Sequence, residues 1–126
     1  APAIGTEVVS IGTAPNPPSL TPAGWSGEDT LWFGVSSVVN GTATASAAPA
    51  SYGNLLQQKT GGASGTSMMT ADRSNRVSTE DPGAFTTSPS TSWRAYTIAV
   101  RPLVPNPISD PPFDSRRRKM FPLLVR

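Results

Sequence analysis

Glycine and proline break this chain at intervals too short for long helices. Of 126 residues, 14 are Pro and 11 are Gly. They gather in clusters: Pro15-Asn16-Pro17-Pro18, Pro22-Ala23-Gly24, Gly61-Gly62 with Gly65, Pro82-Gly83, and the six prolines from Pro102 onward. Proline has no amide proton and clashes inside a helix, and glycine gives up the most backbone entropy on ordering. Between the clusters lie runs of Thr, Val and aromatic residues, which pack well on a pleated surface. Short strands joined by turns are therefore expected, and with them an all-β, antiparallel β-sandwich.

Two runs carry the strand signal most clearly. In Thr30–Val39, Leu31, Phe33 and Val35 share one face, while Trp32, Gly34 and Ser36 share the other. Gly34 among large neighbours predicts a bulge or a close approach of backbone. In Trp93–Arg101, Tyr96, Ile98 and Val100 line one face, opposite Trp93, Ala95 and Ala99. Two apolar faces suit a central strand. Glu7–Ile11, Thr66–Arg73 and Ala84–Thr87 read as further strands. Thr42–Ala50 reads as a strand of small side chains, joined to Thr30–Val39 through Asn40-Gly41, the dipeptide of type I′ hairpins. Leu55–Lys59 has room for one helical turn. The prolines at 15–18 predict an extended connector or edge segment, and Pro82-Gly83 predicts a type II turn with positive φ at Gly83.

The composition shifts at Pro102. Residues 1–101 form the expected sandwich body, with six acids against five bases, and residues 102–126 hold two acids against five bases. The second stretch reads as a proline-rich extended arm. It carries Arg116, Arg117, Arg118 and Lys119, then Phe121, Leu123, Leu124 and Val125. Apolar side chains on such an arm gain by leaving water, so the arm is expected to dock on a partner. Four bases without interleaved aromatics are a weak nucleic-acid signal, so a protein partner is the expectation. No run of 18 apolar residues occurs, and no helical membrane span is expected.

Chemistry is constrained by two absences: the chain has no Cys and no His. Thiolate metal sites and disulfides are excluded, and the one side chain that titrates near neutrality unassisted is missing. No metal, no cofactor and no catalytic residue is expected. The acidic pairs Glu28-Asp29 and Glu80-Asp81 could supply glycosidase carboxylates only by combining across pairs, and both sit in turn contexts where carboxylates accept backbone amides. Ser64, in Gly62-Ala63-Ser64-Gly65, breaks the nucleophile-elbow spacing and has no His to activate it. Asn40-Gly41-Thr42 matches a glycosylation sequon but reads first as a turn. Trp32 and Trp93 are expected in the core. Trp25 and Tyr52, both in loops, are the candidates for stacking on a ligand such as a host-surface glycan.

Four blocks, in order, carry a resemblance. They are Asn16-Pro17-Pro18-Ser19-Leu20-Thr21-Pro22, Thr30-Leu31-Trp32-Phe33-Gly34-Val35, Ser78 through Thr86, and Ala95 through Pro102. Over roughly residues 15–102 the chain resembles a group of phage and prophage virion proteins. The resemblance implies a jelly-roll-like sandwich of which these blocks form the second half. Strands from another chain, strands from a lost segment, or association would then complete the sheets. It further implies a non-enzymatic virion part, in capsid decoration or tail association. Such a part would be located in the virion, held by its arm to major capsid or tail proteins, and homo-oligomeric. The alternative is a carbohydrate- or receptor-binding module of a tail or fibre.

Overall fold

The structure, a computed structural model, describes residues 1–103. Eight strands follow in order: β1 Ala3–Ile4, β2 Val8–Gly12, β3 Thr30–Val38, β4 Thr44–Ala47, β5 Gly53–Lys59, β6 Ser67–Asn75, β7 Thr86–Ser88 and β8 Thr91–Val100. The described residues hold no helix. The main sheet runs β1-β8-β3-β6-β5 and every pairing is antiparallel. β2 also lies on β8: β1 faces residues 98–99 and β2 faces residues 91–95, so the two share one lane. The fold is all-β and sandwich-like, as expected, with its longest strands, β3, β6 and β8, at the middle of the sheet.

A smaller layer covers one face of this sheet. β4 pairs with β7, and the proline-rich stretch runs antiparallel alongside residues 80–87. Thr13 and Pro15 accept from the amides of Thr87 and Phe85 (both 2.8 Å), and Leu20 exchanges two hydrogen bonds with Glu80 (2.9 and 3.1 Å). The prolines thus form an edge segment whose carbonyls are used where no amide exists to donate. Pro15, Pro17 and Phe85 are fully buried beneath it. A Cβ on Gly34 would lie 3.4 Å from Pro17 and 3.6 Å from the Phe85 ring. The expected close approach is real, and β3 keeps an unbroken register with no bulge.

The inner face of the sheet is made of Trp32, Val38, Met69 and Trp93 set among Ser36, Ala71, Ala95, Thr97 and Ala99. Small residues let the covering layer descend, and the large ones fill the space it leaves. The buried hydroxyls are satisfied: Ser36 donates to the Arg94 carbonyl (2.9 Å), Ser67 to that of Asn40 (2.9 Å), and Thr97 to that of Pro18.

Four local expectations are corrected. Leu55–Lys59 belongs to a strand, β5, whose alternation lets Leu55 pack against the core while Gln57 reaches the covering layer, donating to the Ala43 carbonyl at 2.9 Å. Asn40-Gly41 does not close a hairpin. Neither residue has positive φ, Asn40 Oδ1 accepts from the Thr42 amide (2.8 Å), and the chain passes from the main sheet to β4 in the other layer. The strand expected at Ala84–Thr87 is Thr86–Ser88, because Phe85 is occupied in bridging to Pro15. Gly83 takes the expected positive φ, 78°, but no turn forms there, because residues 80–87 continue alongside 13–20.

Candidate functional site

Period-two alternation gives β3 two faces, and the covered one is the less apolar. Trp32, Gly34, Ser36 and Val38 are buried, while Leu31, Phe33 and Val35 are only half-buried. The register shows what surrounds them. Leu31 lies beside Val100, Phe33 beside Ile98, and Val35 beside Tyr96. Ile98 continues to Ile4 on β1, and Thr70, next to Val35, continues to Leu56 on β5. Val9 faces Arg94 on the same side, and Ser37 faces Met68.

Ile4, Val9, Ile11, Val39, Leu56, Met68 and Val100 are the large apolar side chains left exposed on or beside the strands. By register and alternation all seven lie on this outer face. Exposure reaches 73% at Ile11 and 50% at Met68. Monomers rarely show contiguous apolar patches beyond a few hundred Å², and larger ones mark contact surfaces. The alternation in β3 and β8 is readable from sequence, but which of the two faces is left uncovered is not. Ile4, Val9, Ile11, Leu56 and Met68 were not singled out as contact residues. The signal for them was alternation in strands that only the register aligns.

The charged groups on this face have partners. Arg94 meets Glu7 at 2.7 Å and Asn54 donates to Asp72 at 2.7 Å. The Arg94 hydrogen bond is the main cause holding the Glu7 carboxyl below its ordinary range, with the Tyr96 hydroxyl assisting.

The inner side holds one buried carboxylate. Glu80 accepts from Arg73 (3.0 Å), from the Tyr52 hydroxyl (3.3 Å) and from Asn75 (3.3 Å). This corrects the expectation of a solvent-facing Tyr52: it is 8% exposed and packs in the core. The Pro49–Tyr52 turn, closed by the Tyr52 amide on the Pro49 carbonyl, turns the ring inward. Burial, then the neighbouring Glu80 charge, pushes the phenol well above its ordinary range. The cluster ties β6 to the covering layer, since Glu80 bridges to Leu20.

Trp25 is half-buried against the core, with the Arg101 guanidinium 4.8 Å from its ring centroid. Arg101 also pairs with Glu28 at 2.9 Å. One side of this aromatic is therefore occupied by a cation–π contact. Asp29 pairs with Arg76 at 3.2 Å beside an open cleft of about 800 Å³, lined also by Leu31, Val100 and Arg101. Glu28, Asp29 and Glu80 each face an arginine, and Ser64 is exposed in the β5–β6 loop. Among the described residues no cluster of three or more carboxylates is placed to hold a metal ion. None of the described helices is long and apolar enough to cross a membrane, there being none. The arm residues Arg116, Arg117, Arg118, Lys119, Phe121, Leu123, Leu124 and Val125 lie outside the described residues.

The chain is an all-β, sandwich-like fold with exposed apolar side chains on one face of its main sheet. No protein-family model, curated protein or solved structure matches it.

Proposed function

We propose that this chain is a non-enzymatic structural component of a bacteriophage particle, acting by contact with other virion proteins of the capsid or tail. The outer sheet face carries the reading. Ligand and catalytic sites are typically concave, with a few convergent polar groups. This chain instead sets its exposed apolar side chains on one broad sheet surface, where its few charges are already paired. The resemblance of four sequence blocks to phage virion proteins supports the same reading. Residues 104–126 add basic and apolar side chains suited to attachment.

The test is particle composition. Full-length chain, tagged and expressed during infection, is expected to copurify with particles in fixed stoichiometry. A chain ending at Leu103 is expected to keep its β circular dichroism and to be missing from them. Full-length chain absent from particles would sink the reading. A truncated chain still present at full stoichiometry would remove the arm from it.

A further inference from the structure

We propose that the outer face of the main sheet is the interface of a homodimer, each copy covering the other's face. The inference rests on the reading of that face as a contact surface, and it adds the occupant.

Size is the first argument. The sheet is five lanes wide, and β3, β6 and β8 are 9, 9 and 10 residues long. At about 4.8 Å per lane and about 3.3 Å per residue, the face measures roughly 24 by 30 Å, or about 700 Å². A stable interface of standard size buries about 800 Å² on each partner, so one equal face covers this one without leftover area. A short peptide would cover only part of its width.

Charge is the second. A like-charged face could not meet itself, because apposed like charges cost several kcal/mol. Here Arg94 and Glu7 neutralise each other within one copy. Asp72, held by Asn54, lies away from the β1/β2 lane. Each face thus keeps a single unneutralised carboxylate, on β6, and the twofold described below sets it over β8 of the other copy and not over its own counterpart.

Relief is the third. Ile4, Val9 and Ile11 stand 64%, 59% and 73% exposed in the β1/β2 lane at one side. At the opposite side a hollow of about 190 Å³ lies between Leu56 and Met68. A twofold axis parallel to the strands sets the β1/β2 lane of one copy over the β5 lane of the other. Ridge then meets hollow twice, which is what an isologous interface requires. Two sheets packed face to face in this way resemble the layers of an aligned sandwich.

Sedimentation velocity on the full 126-residue chain tests this, read beside the double variant Val9→Lys/Met68→Lys. Both side chains are at least half exposed, so lysine there leaves the fold of one copy intact. The wild type is expected to be dimeric. The double variant is expected to be monomeric with unchanged circular dichroism, its dissociation constant raised at least about a hundredfold. Should that variant misfold, Ile4→Lys/Leu56→Lys makes the same test, and Ala50→Lys on the covering layer must leave the dimer intact. A wild-type monomer up to about 100 µM overturns the proposal. So does a dimer that survives both double variants. A monomer whose outer face gains solvent exposure only when residues 104–126 are deleted would name that segment as the occupant instead. A dimer absent from particles would defeat the virion reading alone, and a monomer found on particles would defeat this one alone.

Discussion

Tyr52 shows how a single buried polar group sets a pH limit. Its hydroxyl donates to Glu80 at 3.3 Å, and burial followed by that carboxylate drives its phenol upward. The folded state thus prefers the protonated phenol more strongly than the unfolded chain does, where tyrosine titrates near about 10. The stability this supplies is complete below that pH and is lost as pH rises above it. Tyr52→Phe keeps the ring and leaves Glu80 with Arg73 and Asn75. It should cost about 1 kcal/mol in urea denaturation at neutral pH. Above about pH 10 the wild type should lose Tm more steeply than the variant. Parallel Tm curves between neutral and strongly alkaline pH would contradict the assignment. Trp25, the other aromatic expected to meet a ligand, has one side taken by Arg101, which also pairs with Glu28.

At the scale of elements, the connection after β3 depends on a close approach of backbones. The Gly41 amide donates to Gly62 (3.0 Å), and Gly61 donates back to Gly41 (3.2 Å). This clamps the crossover to the β5–β6 loop. A Cβ on Gly41 would fall 2.5 Å from the Gly61 carbonyl oxygen and 2.8 Å from that of Gly62. These are backbone atoms and cannot swing aside. Gly41→Ala should therefore separate the two loops and cost about 2 kcal/mol by equilibrium unfolding. Gly53→Ala, with open space around its Cβ and no positive φ, should stay within about 0.5 kcal/mol. Equal losses at both sites would refute the clamp. The Asn-Gly dipeptide signalled a turn correctly. It could not signal that the following strand leaves for another sheet, because that destination is set by Thr44–Ala47 finding Thr86–Ser88 some forty residues on.

In the whole molecule, order should fall from the middle of the main sheet outward. β3 is bonded on both sides, to β6 and β8, while β5 has a partner on one side only. Native-state hydrogen exchange should find the slowest amides in β3 and its neighbours, and the fastest in β5 and residues 60–66. Exchange at β3 as rapid as at β5 would mean that the sheet is not the cooperative unit. The same lane order turns scattered exposed residues into one surface. Val9, Val35 and Leu56 belong to three separate strands and meet on a face only because β8, β3 and β6 lie between them in register.

The amino-acid order alone determined the β class, the positions of the main strands, the edge role of Pro15–Pro18 and the positive φ at Gly83. Each of these follows from backbone constraints local to a few residues. Only the tertiary structure decided which face of the sheet is covered. Alternation creates two faces with equal certainty, but the choice between them rests on Pro15, Pro17 and Phe85 settling over Gly34. The small inner residues allow that long-range contact, and the Leu31–Phe33–Val35 side is left facing outward.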